Sequence, residues 1–261
     1  MDETSNPNPA DLIGEERQIR ACRWGFLLLA AGLLLVLLVG LFLNFPEEPT
    51  NEQRISQEMR VQPPGPESLV ANAVIVAFTM LPGGIILAKN SRSRRWRSAA
   101  YTLLSLVVAD ILMTLVLAAY LNPQAVREDS VPHWYRTLEL ANGLLMWPQA
   151  WFMVVLVAEF GLSSRATRLV HDTERLGFVI LAAGTLNVLF AGWILPMNHI
   201  IGNRESVDTV TFLLGTAYAL LALVGTFWTI RELASAATLA RLLSERSQAF
   251  RHQGDDSSNE A

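Results

Sequence analysis

Three polar side chains lie within long apolar stretches of the sequence: Asp110, Gln149 and Asn187. Each falls near the middle of a segment of about 20 predominantly apolar residues, the length that crosses the hydrocarbon of a bilayer. If these segments cross a membrane, the three side chains share one depth. We hypothesise that they meet and form a polar cluster near the bilayer centre.

Asp110 has no obvious cationic partner, because no Arg, Lys or His lies within any of the apolar segments. A carboxyl group without such a partner in hydrocarbon is expected to rest in its protonated form. It could then join neighbouring helices through hydrogen bonds of about 1 kcal/mol each. Alternatively, it could bind a proton or a cation, since intramembrane ionisable groups mark transport pathways. The residues alone leave both roles open.

The Asp110 helix has two different faces. Residues four apart lie on the same face of a helix, and on the Asp110 face they are mostly small or hydroxylated: Thr102, Leu106, Thr114 and Ala118. The opposite face is aliphatic, with Leu104, Val108, Ile111 and Leu115. We therefore expect Asp110 to face the interior of a helix bundle.

The elements that must position these residues follow from hydropathy. The chain has 261 residues, of which 51% are hydrophobic and only 17% are charged. Six segments are long enough to span a bilayer, and only helices satisfy their own backbone hydrogen bonds in lipid. The predicted spans are 24–45, 69–88, 99–121, 140–161, 176–197 and 209–230. The sequence thus predicts an all-α, polytopic transmembrane bundle over residues 24–230.

Arginine placement predicts the orientation of this bundle. Fifteen of the twenty basic residues fall in the two tails and in the second and fourth connections. The positive-inside rule then places both termini in the cytoplasm and the protein in the cell (cytoplasmic) membrane. The basic connection 89–97 could also contact anionic lipid headgroups, or it could serve only to set the topology. The excess of arginine over lysine is typical of GC-rich bacterial sequences.

Polar segments flank the predicted bundle. Residues 1–23 are predicted to form a polar N-terminal tail with a juxtamembrane helix. Residues 231–250 repeat apolar positions at helical spacing, which predicts a cytoplasmic amphipathic helix, and residues 251–261 are predicted to be disordered. Pro82 and Pro148 lie inside predicted spans and are expected to kink them. Glu159 is expected to meet Arg165 or Arg168.

Residues for catalysis are hard to assemble from this sequence. The four histidines, at 133, 171, 199 and 252, lie outside the predicted spans and have no metal-ligand spacing. No phosphate-binding loop or nucleophile elbow is present. We expect no enzymatic activity, no cofactor, no metal and no nucleic-acid partner. The leading hypothesis is a non-enzymatic membrane scaffold that binds a protein partner; the alternative is a small transporter or channel component with a proton or cation site at Asp110.

Overall fold

The computed structural model describes residues 9–43, 66–91, 93–120, 133–189 and 204–258. All seven elements in these residues are α-helices. They are α1 (Pro9–Leu43), α2 (Pro66–Phe78), α3 (Met80–Lys89), α4 (Arg94–Tyr120), α5 (His133–Ser163), α6 (Thr167–Leu189) and α7 (Arg204–Ser258).

Five helical segments in the described residues are long and apolar enough to cross a membrane. They are Gly14–Gly40, Glu67–Lys89, Arg94–Tyr120, Ala141–Ser163 and Leu213–Ala249. The prediction of an all-helical chain with membrane-spanning segments is confirmed to this extent. The predicted span 176–197 is different, because the described part of α6 ends at Leu189. Residues 190–197 lie outside the described residues, and the apolar part of α6 within them is shorter than a bilayer crossing.

The second candidate span is interrupted at Thr79, between α2 and α3. Pro82 follows three residues later; it has no N–H to donate, and its ring conflicts with the carbonyl group four residues before it. The Thr79 hydroxyl donates to the Ile75 carbonyl oxygen at 2.6 Å. The helix is therefore interrupted in the turn before Pro82, where a proline is expected to disturb the helical hydrogen bonds. By contrast, α5 continues through Pro148 without interruption.

Glycines let α1 and α3 approach closely. A Cβ atom on Gly25 would lie 2.7 Å from Leu87 Cγ, and one on Gly83 would lie 3.0 Å from the Gly25 carbonyl oxygen. Small residues at helix crossings allow backbones to come near each other in membrane bundles. The α1–α3 contact thus depends on the absence of side chains at these two positions.

Helix α7 is much longer than a bilayer crossing. Its 55 residues extend over roughly 80 Å at 1.5 Å per residue. The predicted amphipathic helix 231–250 continues the last span without a break, and Leu233, Ala236 and Ala240 on its apolar face are buried in the bundle. The helix runs on to Ser258, although disorder was predicted from residue 251. Extending an existing helix by a few residues is far easier than nucleating a new one.

Helices α1 and α7 pair in opposite directions. Near the start of α1 and the end of α7, Gln248 Nε2 donates to Glu16 Oε1 at 2.9 Å. Farther along both helices, Leu33 and Leu223 line the same cavity. The first and last described segments of the chain therefore lie at the same end of the bundle.

That end of the bundle contains a tightly packed aromatic core made of Phe26, Trp96 and Phe160. The three rings meet edge to face with centroids 5.3–6.1 Å apart. The indole N–H of Trp96 donates to the Leu87 carbonyl oxygen at 2.8 Å. The aromatic core ties together α1, α3, α4 and α5, while α6 packs on α5 in a separate apolar cluster.

Candidate intramembrane polar site

Asp110 and Gln149 join α4 to α5. Gln149 Nε2 donates to Asp110 Oδ2 at 3.2 Å and also lies 3.3 Å from the Leu106 carbonyl oxygen. The Gln149 side chain is buried, with 5% of its surface exposed, while Asp110 is half-buried. Two of the three residues that the sequence placed at one depth therefore lie in contact.

Two further residues extend this contact along the same pair of helices. Asn142 Nδ2 donates to Thr114 Oγ1 at 3.2 Å, and Thr114 Oγ1 lies 3.4 Å from Asp110 Oδ1. Thr114 is one turn from Asp110, and Asn142 is two turns from Gln149, so the four side chains lie along two facing helix stripes. We call Asp110, Thr114, Asn142 and Gln149 the polar cluster.

Asn187 lies outside the polar cluster. It is half-buried on α6, and within the described part of the chain no hydrogen bond connects it to Asp110 or Gln149. Helix α6 packs against the α5 face that carries Trp147 and Trp151, which lie beside Gly184 and Gly177. Gln149 is two residues from Trp147, which is about 200° around a helix. The amide of Gln149 thus faces α4 while α6 covers another side of α5.

A cavity of about 510 Å³ lies beside the polar cluster. It is lined by residues of α1, α2, α3, α4, α5 and α7. Its polar wall adds Asn72, Tyr218 and Thr226 to the four residues of the cluster. The other lining side chains are apolar, and no Arg, Lys or His is among the described residues that line it. The volume is in the range of pockets that bind small organic molecules.

One residue that lines this cavity has a buried side-chain oxygen without a partner among the described residues. Asn72 Oδ1 accepts no hydrogen bond from any described residue. An unsatisfied buried acceptor costs about 1–3 kcal/mol. Because this oxygen has almost no accessible surface, a donor in the cavity could bond to it only after the Asn72 side chain turned. Asn72 was not singled out from the sequence; the available signal was a lone amide in an otherwise apolar span.

The chemistry available to the cavity is acceptance of hydrogen bonds and of positive charge. Asp110 supplies one carboxyl group, and Asn72, Asn142 and Gln149 supply amide oxygens. Across the residues that the structure describes, no group of three or more His, Cys, Asp or Glu side chains could hold a metal ion. The arrangement suits a proton, a monovalent cation or an organic ligand with N–H donors.

The basic connection between α3 and α4 is joined to α5 by a hydrogen bond of Ser93. Ser93 Oγ accepts from the Trp96 backbone N–H at 3.0 Å, which caps α4, and donates to Glu159 Oε2 at 3.1 Å. Within the described chain, no ion pair connects Glu159 to Arg165 or Arg168, the partners that were predicted. Arg94, Arg95 and Arg97 are exposed around the buried Trp96; Arg92 lies outside the described residues.

A second acid is buried farther along α7. Glu232 is 2% exposed and accepts a hydrogen bond from the Trp228 indole N–H at 3.1 Å. It is next to Leu233, which is fully buried. Sequence reasoning missed it because Glu232 lies just beyond the predicted end of the last span. The sequence could have revealed it, because Glu232 lies beside the apolar stripe of residues 231–250, which continue the last helix.

Over the residues that the structure describes, fold and site together define an all-helical protein with five candidate membrane spans and a polar cavity between its helices. No protein-family model, curated protein or solved structure matches the chain.

Proposed function

We propose that the protein is a small transporter, or a component of one, that binds a proton or cation at Asp110 within the membrane. The observation that carries the proposal is that Asp110 lines a cavity of about 510 Å³. A carboxyl group that only joined two helices would need no such space beside it. Intramembrane acids that face cavities are typical of ion and substrate pathways.

The hydrogen bonds of Asp110 support this role. Its two carboxyl oxygens lie 3.2 Å from Gln149 Nε2 and 3.4 Å from Thr114 Oγ1. Both distances are at or beyond the long end of the range for such bonds. Weakly held carboxyl oxygens leave capacity for a ligand in the cavity.

The position of the cavity fits one state of an alternating-access cycle. Its lining residues on α1 extend from Leu33 to Gly40 and on α2 begin at Leu69. The aromatic core lies at the other end of the same helices, where buried apolar side chains pack between them. In transporters, a midplane site is exposed to one side at a time by movement of helices around it.

We further propose six spans with both termini in the cytoplasm. The contact between Glu16 and Gln248 supports it, because it places the two terminal segments at the same end. Exposed arginines 94, 95 and 97 surround Trp96 of the aromatic core at that end, as the positive-inside rule requires for a cytoplasmic side. The sixth span of this proposal is the predicted segment 176–197, whose residues after Leu189 lie outside the described residues. In this orientation, the cavity lies in the outer half of the bundle.

A protein partner is a second candidate function, favoured by the length of α7. The helix continues 18 residues beyond the buried Ala240, and Leu242 is 51% exposed on this extension. Such a surface suits docking of a cytoplasmic protein, as expected for a scaffold. The exposed Lys89 and arginines of the basic connection suit contact with anionic headgroups. Neither function requires a catalytic residue or a cofactor.

A flux measurement tests the transport proposal. Wild-type protein, Asp110→Asn and the control Glu174→Gln are reconstituted in liposomes, and proton movement is followed with an internal pH dye under imposed Na⁺ or K⁺ gradients. Glu174 is exposed on α6 and does not line the cavity. We expect flux in wild type and control and its loss in Asp110→Asn, whose amide can still bond to Gln149. Equal flux from all three proteins would refute the role of Asp110.

A further inference from the structure

We infer that the cavity binds a small organic cation, a protonated amine on an apolar body, in preference to a metal ion. The inference builds on the proposed function, because the ligand would occupy the same site, and it names the chemical class of that ligand. Three properties of the cavity carry it: its size, its set of hydrogen-bond acceptors and its apolar walls.

Size separates an organic ligand from an inorganic ion. A cavity of about 510 Å³ lies within the roughly 300–1,000 Å³ range of small-molecule pockets. A monovalent cation would be surrounded by a few oxygen ligands at one point of the wall. Most of the space would then remain unused, whereas an organic body would fill it.

The acceptors of the wall select for a donor with positive charge. Asp110 supplies a carboxyl group, and no basic side chain is found among the described lining residues. Asn72 Oδ1 is buried and unpaired among the described residues. An ammonium group has several N–H donors and no acceptor, so one group can bond to a carboxylate and supply a donor to the wall. A carboxylate ligand would find no basic side chain among the described lining residues, and it has no N–H donor for the acceptors of the wall.

The rest of the wall suits an apolar body. Val36, Val76 and Ile111 line the cavity together with Met80 and Met146. Methionine side chains are flexible and polarisable, so they adapt to ligands of irregular shape. Tyr218 lines the same cavity and contacts Trp147 edge to face at 6.0 Å. An aromatic ring adds cation–π attraction for an ammonium group.

Binding of a matched ligand series tests the inference. The probes are cyclohexylmethylamine, cyclohexylmethanol and cyclohexanecarboxylate, which share one apolar body and differ in charge. Heat of binding is measured on full-length protein in phosphatidylcholine nanodiscs at pH 7, with empty nanodiscs subtracted. Because charged hydrogen bonds contribute more than neutral ones, we expect the amine to bind at least about tenfold more tightly than the alcohol, and the carboxylate not to bind.

Variants of two residues that line the cavity test whether the amine binds there. Asp110→Asn should weaken amine binding about tenfold or more, because it removes the only carboxyl group among the described lining residues. Asn72→Leu should weaken it about threefold to tenfold, because it removes a polar side chain from the lining. Glu174→Gln should bind as wild type does. The wild-type ligand series stands without any variant if Asp110→Asn does not fold.

Several results would overturn the inference. Equal affinity for amine and alcohol would show that charge is not recognised, and unchanged binding in both cavity variants would place the ligand elsewhere. Heat from NaCl or KCl without any from the amine would overturn it while leaving an ion-transport role intact. Amine binding without flux in liposomes would support the inference and contradict transport.

Discussion

The two halves of the helix bundle are packed differently, although the same helices run through both. In one half, Phe26, Trp96 and Phe160 fill the space between the helices. In the other half, α1, α4 and α5 leave a cavity of about 510 Å³ beside Asp110. Protein interiors normally contain few voids larger than a water molecule. The comparison suggests that one half holds the helices together and the other half holds a ligand.

Hydrogen bonding differs between the halves in the same way. In the aromatic core, the Trp96 indole N–H has a bond of 2.8 Å to the Leu87 carbonyl oxygen. Around the cavity, Asp110 has bonds of 3.2 Å and longer, and Asn72 Oδ1 has none within the described residues. Satisfied polar groups stabilise a single arrangement, whereas an unsatisfied buried acceptor costs about 1–3 kcal/mol. Substitutions in the aromatic core should therefore lower thermal stability, whereas substitutions at the cavity should mainly lower ligand binding.

The largest effect is expected in the aromatic core. Trp96→Ala removes a fully buried indole and leaves the Leu87 carbonyl without its donor. Loss of a buried Trp typically costs about 3–5 kcal/mol, so we expect a large decrease in thermal stability in detergent. The matched control is Trp24→Ala, because Trp24 is 55% exposed, and this variant should melt close to wild type. Equal losses from the two substitutions would show that the aromatic core is not what holds the bundle.

A smaller effect on stability is expected at the polar cluster. Gln149→Leu removes the hydrogen bond to Asp110 and places an apolar side chain of similar size between α4 and α5. Interhelical bonds in membranes contribute about 1 kcal/mol or less, so thermal stability should change little. Amine binding and flux should nevertheless fall, because Asp110 loses the group that positions it.

The control for Gln149→Leu lies one turn farther along the same face of α5. Met153 is fully buried and belongs to the packed half, and Met153→Leu keeps nearly the same volume. It should leave binding unchanged, and volume-conserving core substitutions usually cost less than about 1.5 kcal/mol. If Gln149→Leu instead unfolded the protein and Met153→Leu reduced binding, the proposed division between the two halves would be wrong.

Much of the fold and part of the site could be predicted from the sequence. The bilayer imposes a length and an apolar composition on each span, which is why the Asp110 helix and its neighbours were found. Depth along a span and the face of a helix sufficed to place Asp110 near Gln149. They could not place Asn187, because sequence does not reveal which face of α5 is covered by α6. Trp147 and Trp151 occupy that face, which turns Gln149 away from α6.

Two polar groups near the ends of predicted spans were not predicted to be buried. Asn72 and Glu232 lie near the ends of predicted spans, where polar residues ordinarily reach the membrane interface. The structure buries both the Asn72 oxygen and the Glu232 side chain. Helix α7 continues past residue 230, the predicted end of the last span, and packs on α1. Hydropathy averages over a stretch of residues, and it does not report which single positions are buried between helices.

The smallest expected effect concerns the turn between α5 and α6, next to the packed half. Arg165 has a left-handed backbone with φ of 56°. The Ala166 N–H bonds to the Gly161 carbonyl oxygen at 2.8 Å and the Arg165 N–H to the Leu162 carbonyl oxygen at 3.2 Å. This pattern is a Schellman motif, in which glycine is the favoured residue at the left-handed position. A non-glycine residue there has a conformational cost of about 1–2 kcal/mol.

Arg165→Gly should therefore stabilise the protein by up to about 1 kcal/mol, since relief of the left-handed cost exceeds the added freedom of the unfolded chain. The measurement is a small rise in melting temperature, with amine binding unchanged because the turn is remote from the cavity lining. Arg175→Gly, in the exposed middle of α6, makes the same chemical change at an ordinary helical φ and should cost about 1 kcal/mol. If both variants lowered the melting temperature equally, the Arg165 guanidinium would have to stabilise the turn by more than its backbone conformation costs. The packed half would then depend on charge at its edge as well as on the aromatic core.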